Sequence, residues 1–125
     1  MRIAFDVHGT LDADVTVRNF FDLLDSCPEY EVFIISGPPK DEIEKELLQL
    51  GIIIDDSRII SVVDFLKYKG VPMEERNGSW WCDEEAWWES KGLICREYHI
   101  DIIIDDKIRY KRYMPESTKF MLWIG

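Results

Sequence analysis

An α/β fold with a mostly parallel five-stranded sheet and helices on both faces is predicted here by three observations. Short apolar runs of strand length recur along the chain, separated by stretches whose apolar residues repeat at the helical period. Runs such as Val32-Phe33-Ile34-Ile35 and Ile102-Ile103-Ile104 are continuously apolar, as in strands covered on both faces, not alternating as in half-exposed ones. A chain of 125 residues, 46% of them hydrophobic, is long enough to bury one core without a disulfide or metal staple. Residues 1–125 therefore read as a single three-layer domain.

The elements follow in order. Residues 2–7 (Arg-Ile-Ala-Phe-Asp-Val) read as the opening buried strand. Val17, Phe20, Phe21 and Leu24 recur at i, i+3, i+4, i+7, one face of a helix that ends near Cys27-Pro28. Glu31–Ser36 is a second strand, stopped by Gly37-Pro38-Pro39. Ile43, Leu47, Leu48 and Leu50 mark a second helix, with Gly51 where a C-terminal cap belongs. Either Ile52–Ile54 or Arg58–Ile60 is the third strand. Ser61-Val62-Val63-Asp64 has the form of a capping box and opens a third helix that closes at Lys69-Gly70. Residues 71–90 break the rhythm with six acids, one Arg and four tryptophans (Trp80, Trp81, Trp87, Trp88), and read as a small Trp-rich insert. Lys91 to Tyr98 read as a helix, Asp101–Ile104 as the fourth strand and Lys119–Trp123 as the fifth.

Composition narrows the function classes. Fifteen Lys and Arg against 25 Asp and Glu give a net charge of −10, so a nucleic-acid backbone is not the expected partner. Every apolar run is far shorter than the roughly 18–20 residues of a membrane span, and Met1-Arg2 leads straight into the first strand without a signal-peptide pattern. Three cysteines without CxxC spacing are expected to be reduced thiols, and a cytoplasmic location is the expectation. Cys95 and His99 stand at i, i+4, but without a second pair they do not make a zinc site. The tryptophans can stack a base or form a lid, although packing against a sheet edge is the commoner use of such residues. No P-loop, dinucleotide-binding or serine-hydrolase pattern occurs.

Ligands of open α/β sheets lie off the carboxyl ends of the strands. There the sequence puts Asp6, Ser36 and the pair Asp105-Asp106. Carboxylates gathered at one edge repel unless a cation such as Mg²⁺ joins them. Asp105-Asp106 alone also suit a simple turn, as Asp often does.

Together these segments resemble a family. Ile3-Ala4-Phe5-Asp6-Val7-His8-Gly9-Thr10-Leu11-Asp12 resembles the first motif of the haloacid dehalogenase-like hydrolases, an apolar strand followed by DxDGT. Ser36 closing the second strand resembles their second motif, Lys91 at a helix start their third, and Ile102–Asp106, an apolar strand ending in paired acids, their fourth. The order is right and covers residues 3–106. The resemblance implies a Rossmannoid sheet with Asp6 beside Asp105-Asp106. It implies a Mg²⁺-dependent phosphatase in which Asp6 attacks phosphorus and forms an aspartyl-phosphate. Asp6, Asp105, Asp106 and the carbonyl of His8 would hold Mg²⁺, and Gly9, Thr10, Ser36 and Lys91 would bind the phosphoryl group of a phosphorylated substrate. With only residues 71–90 available for a cap, the site would be open, suiting a large substrate or completion by another subunit.

His8 stands where the family pattern has its second Asp, the general acid/base. An imidazole can take that role. The substitution equally suits a degenerate phosphate- or metal-binding module, or an imidazole turned away and hydrogen-bonded for structure. A two-component receiver has a similar fold and paired acids, but it needs an acidic pair after strand 1 and a Lys after strand 5, whereas Lys119 opens strand 5.

Overall fold

The computed structural model describes residues 1–125, the whole chain. Five strands, β1 (Arg2–Phe5), β2 (Glu31–Ser36), β3 (Ile59–Ser61), β6 (Ile102–Asp105) and β7 (Lys119–Leu122), form one sheet in the order β3-β2-β1-β6-β7. All four pairings are parallel, so the expected mostly parallel sheet is wholly parallel. A separate antiparallel hairpin, β4 (Glu74–Arg76) and β5 (Ser79–Trp81), lies between the helices α3 (Val62–Tyr68) and α4 (Glu84–Glu97). Helices α1 (Val15–Asp25) and α2 (Lys40–Gln49) cover one face, where Val17, Phe21, Ile43 and Leu47 meet Ile3, Phe5, Val32 and Ile34. Helices α3 and α4 cover the other, where Val62, Leu66, Ile94 and Cys95 meet Ala4, Phe33, Ile35 and Ile103. Alternate residues of each strand thus feed opposite cores, which is why the strands are apolar throughout.

Local chemistry sets the boundaries. Asp14 caps α1 by accepting from the Val17 N–H at 3.1 Å. Ser61 caps α3 through the Asp64 N–H, but the Asp64 carboxylate accepts from the Lys40 N–H, so only half of a capping box forms and α2 and α3 are joined instead. Helix α2 ends in a Schellman motif, with Gly51 N–H on Leu48 and Ile52 N–H on Leu47. That motif uses Ile52, whose side chain is buried, Ile53 after it is exposed, and the third strand is Ile59–Ser61.

Two boundaries near the strand ends and the insert differ from the sequence reading. The first strand stops at Phe5, because the chain turns at Asp6 into a tight loop over Val7–Leu11. Helix α4 begins at Glu84, not Lys91, capped by Asp83 on the Ala86 N–H. Trp87 and Trp88 therefore belong to the helix, and the irregular part of the insert shrinks to the hairpin and its flanks. Asn77 (φ 51°) and Gly78 (φ 81°) make the hairpin turn with two left-handed residues. Lys67 of α3 lies 3.9 Å from the centre of the Trp80 ring and tethers the hairpin. A 3₁₀ segment, Ile108–Tyr113, packs on α4 after β6.

Candidate functional site

Strand order reverses at β1: β2 and β3 lie to one side, β6 and β7 to the other. The crevice at such a reversal is the natural ligand site of an open parallel sheet. The register pairs Phe5 with Ile104, and the Asp6 N–H still donates to the Ile104 carbonyl at 3.0 Å. Asp6 therefore leaves its strand beside Asp105. Carboxylate oxygens of Asp6, Asp105 and Asp106, one from each, all lie within 4.8 Å of one another.

Lys91 makes this arrangement tolerable. Its Nζ donates to Asp6 Oδ1 at 3.0 Å and to Asp105 Oδ2 at 2.6 Å, and its side chain is 3% exposed. Burial pushes the Asp6 carboxyl up to about 6, with Lys91 pulling it down and Asp105 and Asp106 pushing it further up. Burial alone would favour a neutral Lys91, but Asp6 and Asp105 override it and hold the ammonium's pKa above its ordinary range. Tyr110, from the 3₁₀ segment, closes over Lys91 with its ring centre 4.5 Å from Nζ, and Trp88 packs on Tyr110 at 4.7 Å. At Gly92 an added Cβ would lie 2.1 Å from the Tyr113 carbonyl oxygen, so glycine next to Lys91 lets this segment close on α4. Cys95, one turn beyond Lys91, is buried, and burial pushes its thiol up to about 12, so it is an inert core residue.

The loop after Asp6 is built around Gly9. Its φ of +79° is left-handed, and a Cβ there would lie 2.1 Å from Asp106 Oδ2. The Gly9 N–H donates to Asp12 Oδ1 at 2.7 Å, which fixes the loop. Asp106 thus rests on the bare Cα of Gly9, with Lys107 Nζ 3.6 Å from its Oδ2.

Three polar atoms around this crevice are buried without a hydrogen-bond partner: Thr10 Oγ1, Ser36 Oγ and Asp106 Oδ1. Unpaired buried groups of this kind are uncommon, and each calls for an explanation. Thr10 belongs to the Asp6 loop, and Ser36 ends the strand beside β1. A bound oxyanion accepts from hydroxyls, and a cation takes a carboxylate oxygen. A cleft of about 460 Å³ bordered by Lys40, Ser61, Phe65 and Tyr68 contains none of these residues, so the crevice is marked by its chemistry and not by that cleft.

Lys91 bonds Asp6 and Asp105 into one cluster, and Asp106 stands within 4.8 Å of both carboxylates, against Gly9. His8 does not join it. Its half-exposed imidazole Nε2 pairs with Glu46 Oε2 on α2. Residues 55 and 56, also acids after an apolar triplet, lie apart: Asp55 caps the turn at Ser57, and Asp56 faces Lys40 at 3.6 Å. His99 takes the left-handed position after α4 (φ 54°) and shapes the helix end. Tyr110 and Glu46 have no signal in the sequence. Tyr110 lies in a segment without an apolar period, and Glu46 is one of several acids on the surface of α2. No protein-family model matches the chain, and neither does any curated protein.

Proposed function

We propose that this protein is a Mg²⁺-dependent phosphohydrolase working through an aspartyl-phosphate on Asp6, the reading that its resemblance to the haloacid dehalogenase-like hydrolases implies. The observation that carries it is the joining of Asp6, Asp105 and Asp106 with a buried Lys91 at the reversal of strand order. Three close carboxylates, one with a buried unpartnered oxygen, fit a hard divalent cation that takes oxygen ligands. Asp6, Asp105 and Asp106 would hold Mg²⁺, which when bound offsets the charge of the carboxylates and of the phosphoryl oxygens.

The chain's own residues account for the rest. Lys91 holds Asp6 through Oδ1 and leaves Oδ2 for attack on phosphorus, with the Lys91 charge beside the incoming phosphoryl group. Thr10 and Ser36 hydroxyls donate to the phosphoryl oxygens, which gives both orphaned groups a partner. The P–O bond to the leaving group breaks as the Asp6–P bond forms. Water then attacks phosphorus and returns the Asp6 carboxylate with free phosphate. His8, held by Glu46, supplies a proton to the leaving oxygen and takes one from that water.

One observation favours a second reading. The His8 imidazole pairs with Glu46 and not with the carboxylate cluster, which suits a phosphate-binding module without turnover. Hydrolysis of p-nitrophenyl phosphate and of a set of phosphorylated metabolites with Mg²⁺ separates the two. The enzyme should turn over at least one ester, with activity lost in Asp6→Asn and a phosphoenzyme trapped on acid quenching. No turnover by the wild type, together with clear turnover by His8→Asp, would leave the binding module standing.

A further inference from the structure

The two edges of the sheet differ. Edge strand β3 has three residues, and Asp55, Asp56 and Arg58 precede it while α3 follows it at once. Edge strand β7 has four residues and one exposed charge, Lys119 at its start, and is open beyond it. Its Lys119 and Trp123 N–H groups donate inward to Asp101 and Asp105 at 2.8 and 2.9 Å, so the alternate groups of Phe120 and Leu122 face outward, unpaired. From Phe120 onward neither a proline nor a charge blunts this edge, as such residues do where edge-to-edge pairing is blocked. Met121 is 47% exposed, Leu122 42% and Ile124 83%. Between α1 and β7 runs a groove of about 190 Å³ lined wholly by hydrophobic side chains, among them Phe20, Leu24, Ile102, Ile104 and Met121.

Charge sets where a second copy can meet this chain. Two copies of a chain with net charge −10 repel across most of their surfaces, yet residues Lys119–Gly125 contain none of the 25 acids. This edge lets two copies meet without acid against acid. We infer that β7 pairs antiparallel with β7 of a second copy, making a two-fold dimer with one continuous ten-stranded sheet. A two-fold contact of this kind uses the same patch on both partners and closes, so it ends at the dimer. Because the paired strands run in opposite directions, the two carboxylate clusters lie at opposite ends of the joined sheet. The inference does not rest on the phosphatase reading.

Sedimentation velocity of the full chain from about 1 to about 100 µM brackets dissociation constants in the micromolar range. The wild type should reach twice its 14.8 kDa mass. Leu122→Pro removes an outward N–H only, which an edge strand tolerates, so it should keep the wild-type circular dichroism and melting temperature while weakening the dimer at least about tenfold. Should Leu122→Pro fold poorly, the double variant Met121→Lys/Ile124→Lys, at exposed side chains, reads the same contact. A wild type that stays monomeric at about 100 µM overturns the inference. A dimer that survives the double variant overturns it too, because the contact then lies elsewhere.

Discussion

Lys91 makes the two ion pairs of this protein that are buried on both sides. It neutralises two carboxylates that are 5% exposed or less, and removing one partner of a buried charge set leaves the others uncompensated. Lys91→Met should therefore lower unfolding stability by about 3–5 kcal/mol at neutral pH, measured by urea denaturation. A loss below about 1 kcal/mol, the worth of a surface pair, would contradict the buried bridge. Asp6 gives a pH-dependent counterpart. Its folded pKa is raised from 3.8 to about 6, so its contribution to stability is fully present below pH 3.8 and is lost as pH rises through about 6. Asp6→Asn removes that loss. In EDTA, its stability relative to the wild type should rise between pH 4 and 8, by on the order of 3 kcal/mol in total. A flat difference across that range would show that Asp6 is not buried in this way. His8 teaches the reverse lesson at the same scale: its position two residues after Asp6 is visible in the sequence, while its partner Glu46, 38 residues away, is not.

At the level of elements, the loop over Val7–Leu11 leaves no room for a side chain at Gly9. Gly9→Ala combines a left-handed backbone with a methyl group 2.1 Å from Asp106 Oδ2, so Asp106 must move. Titration calorimetry should show Mg²⁺ affinity reduced at least about tenfold in this variant, with the helical circular dichroism unchanged. Unaltered affinity would place the metal away from Asp106. Helix α4 links the tryptophans to the site from the other side. Trp87 packs on the core of its face, and its ring stands beside Gly37, just after Ser36. Trp87 is half-buried, so Trp87→Ala should cost about 2–3 kcal/mol, less than the roughly 3–5 kcal/mol of a fully buried tryptophan. Unchanged stability with weakened substrate binding would make Trp87 a recognition residue instead. The start of α4 at Glu84 was open to reading from Asp83, an N-cap residue with acids following it, but the aromatic run masks the helical period there.

Across the whole molecule, the proposed Mg²⁺ site would couple metal binding to folding through the carboxylate cluster. A ligand that binds only the folded state stabilises it by about 2.7 kcal/mol at a hundredfold excess over its dissociation constant. Mg²⁺ should raise the melting temperature of the wild type, and Asp106→Asn should abolish most of that rise. An equal rise in both proteins would remove Asp106 from the ligand set. No helix is long and apolar enough to cross a membrane, in line with the short apolar runs of the sequence.

The sequence by itself determined the fold class, four of the five strands of the sheet and the polar residues at the carboxyl ends of the first, second and fourth. Burial of strands on both faces demands uninterrupted apolar runs, and Asp6, Ser36 and Asp105-Asp106 interrupt them at the strand ends. Those are properties of consecutive residues. Tertiary structure alone decided what meets across the chain. It joined Lys91 to Asp6 and Asp105, 85 and 14 residues away, laid Tyr110 over Lys91, and drew His8 to Glu46. It also left β7 with an open edge. A local pattern encodes burial and backbone conformation; strand order and register set distances between remote side chains, and the chemistry of this site consists of those distances.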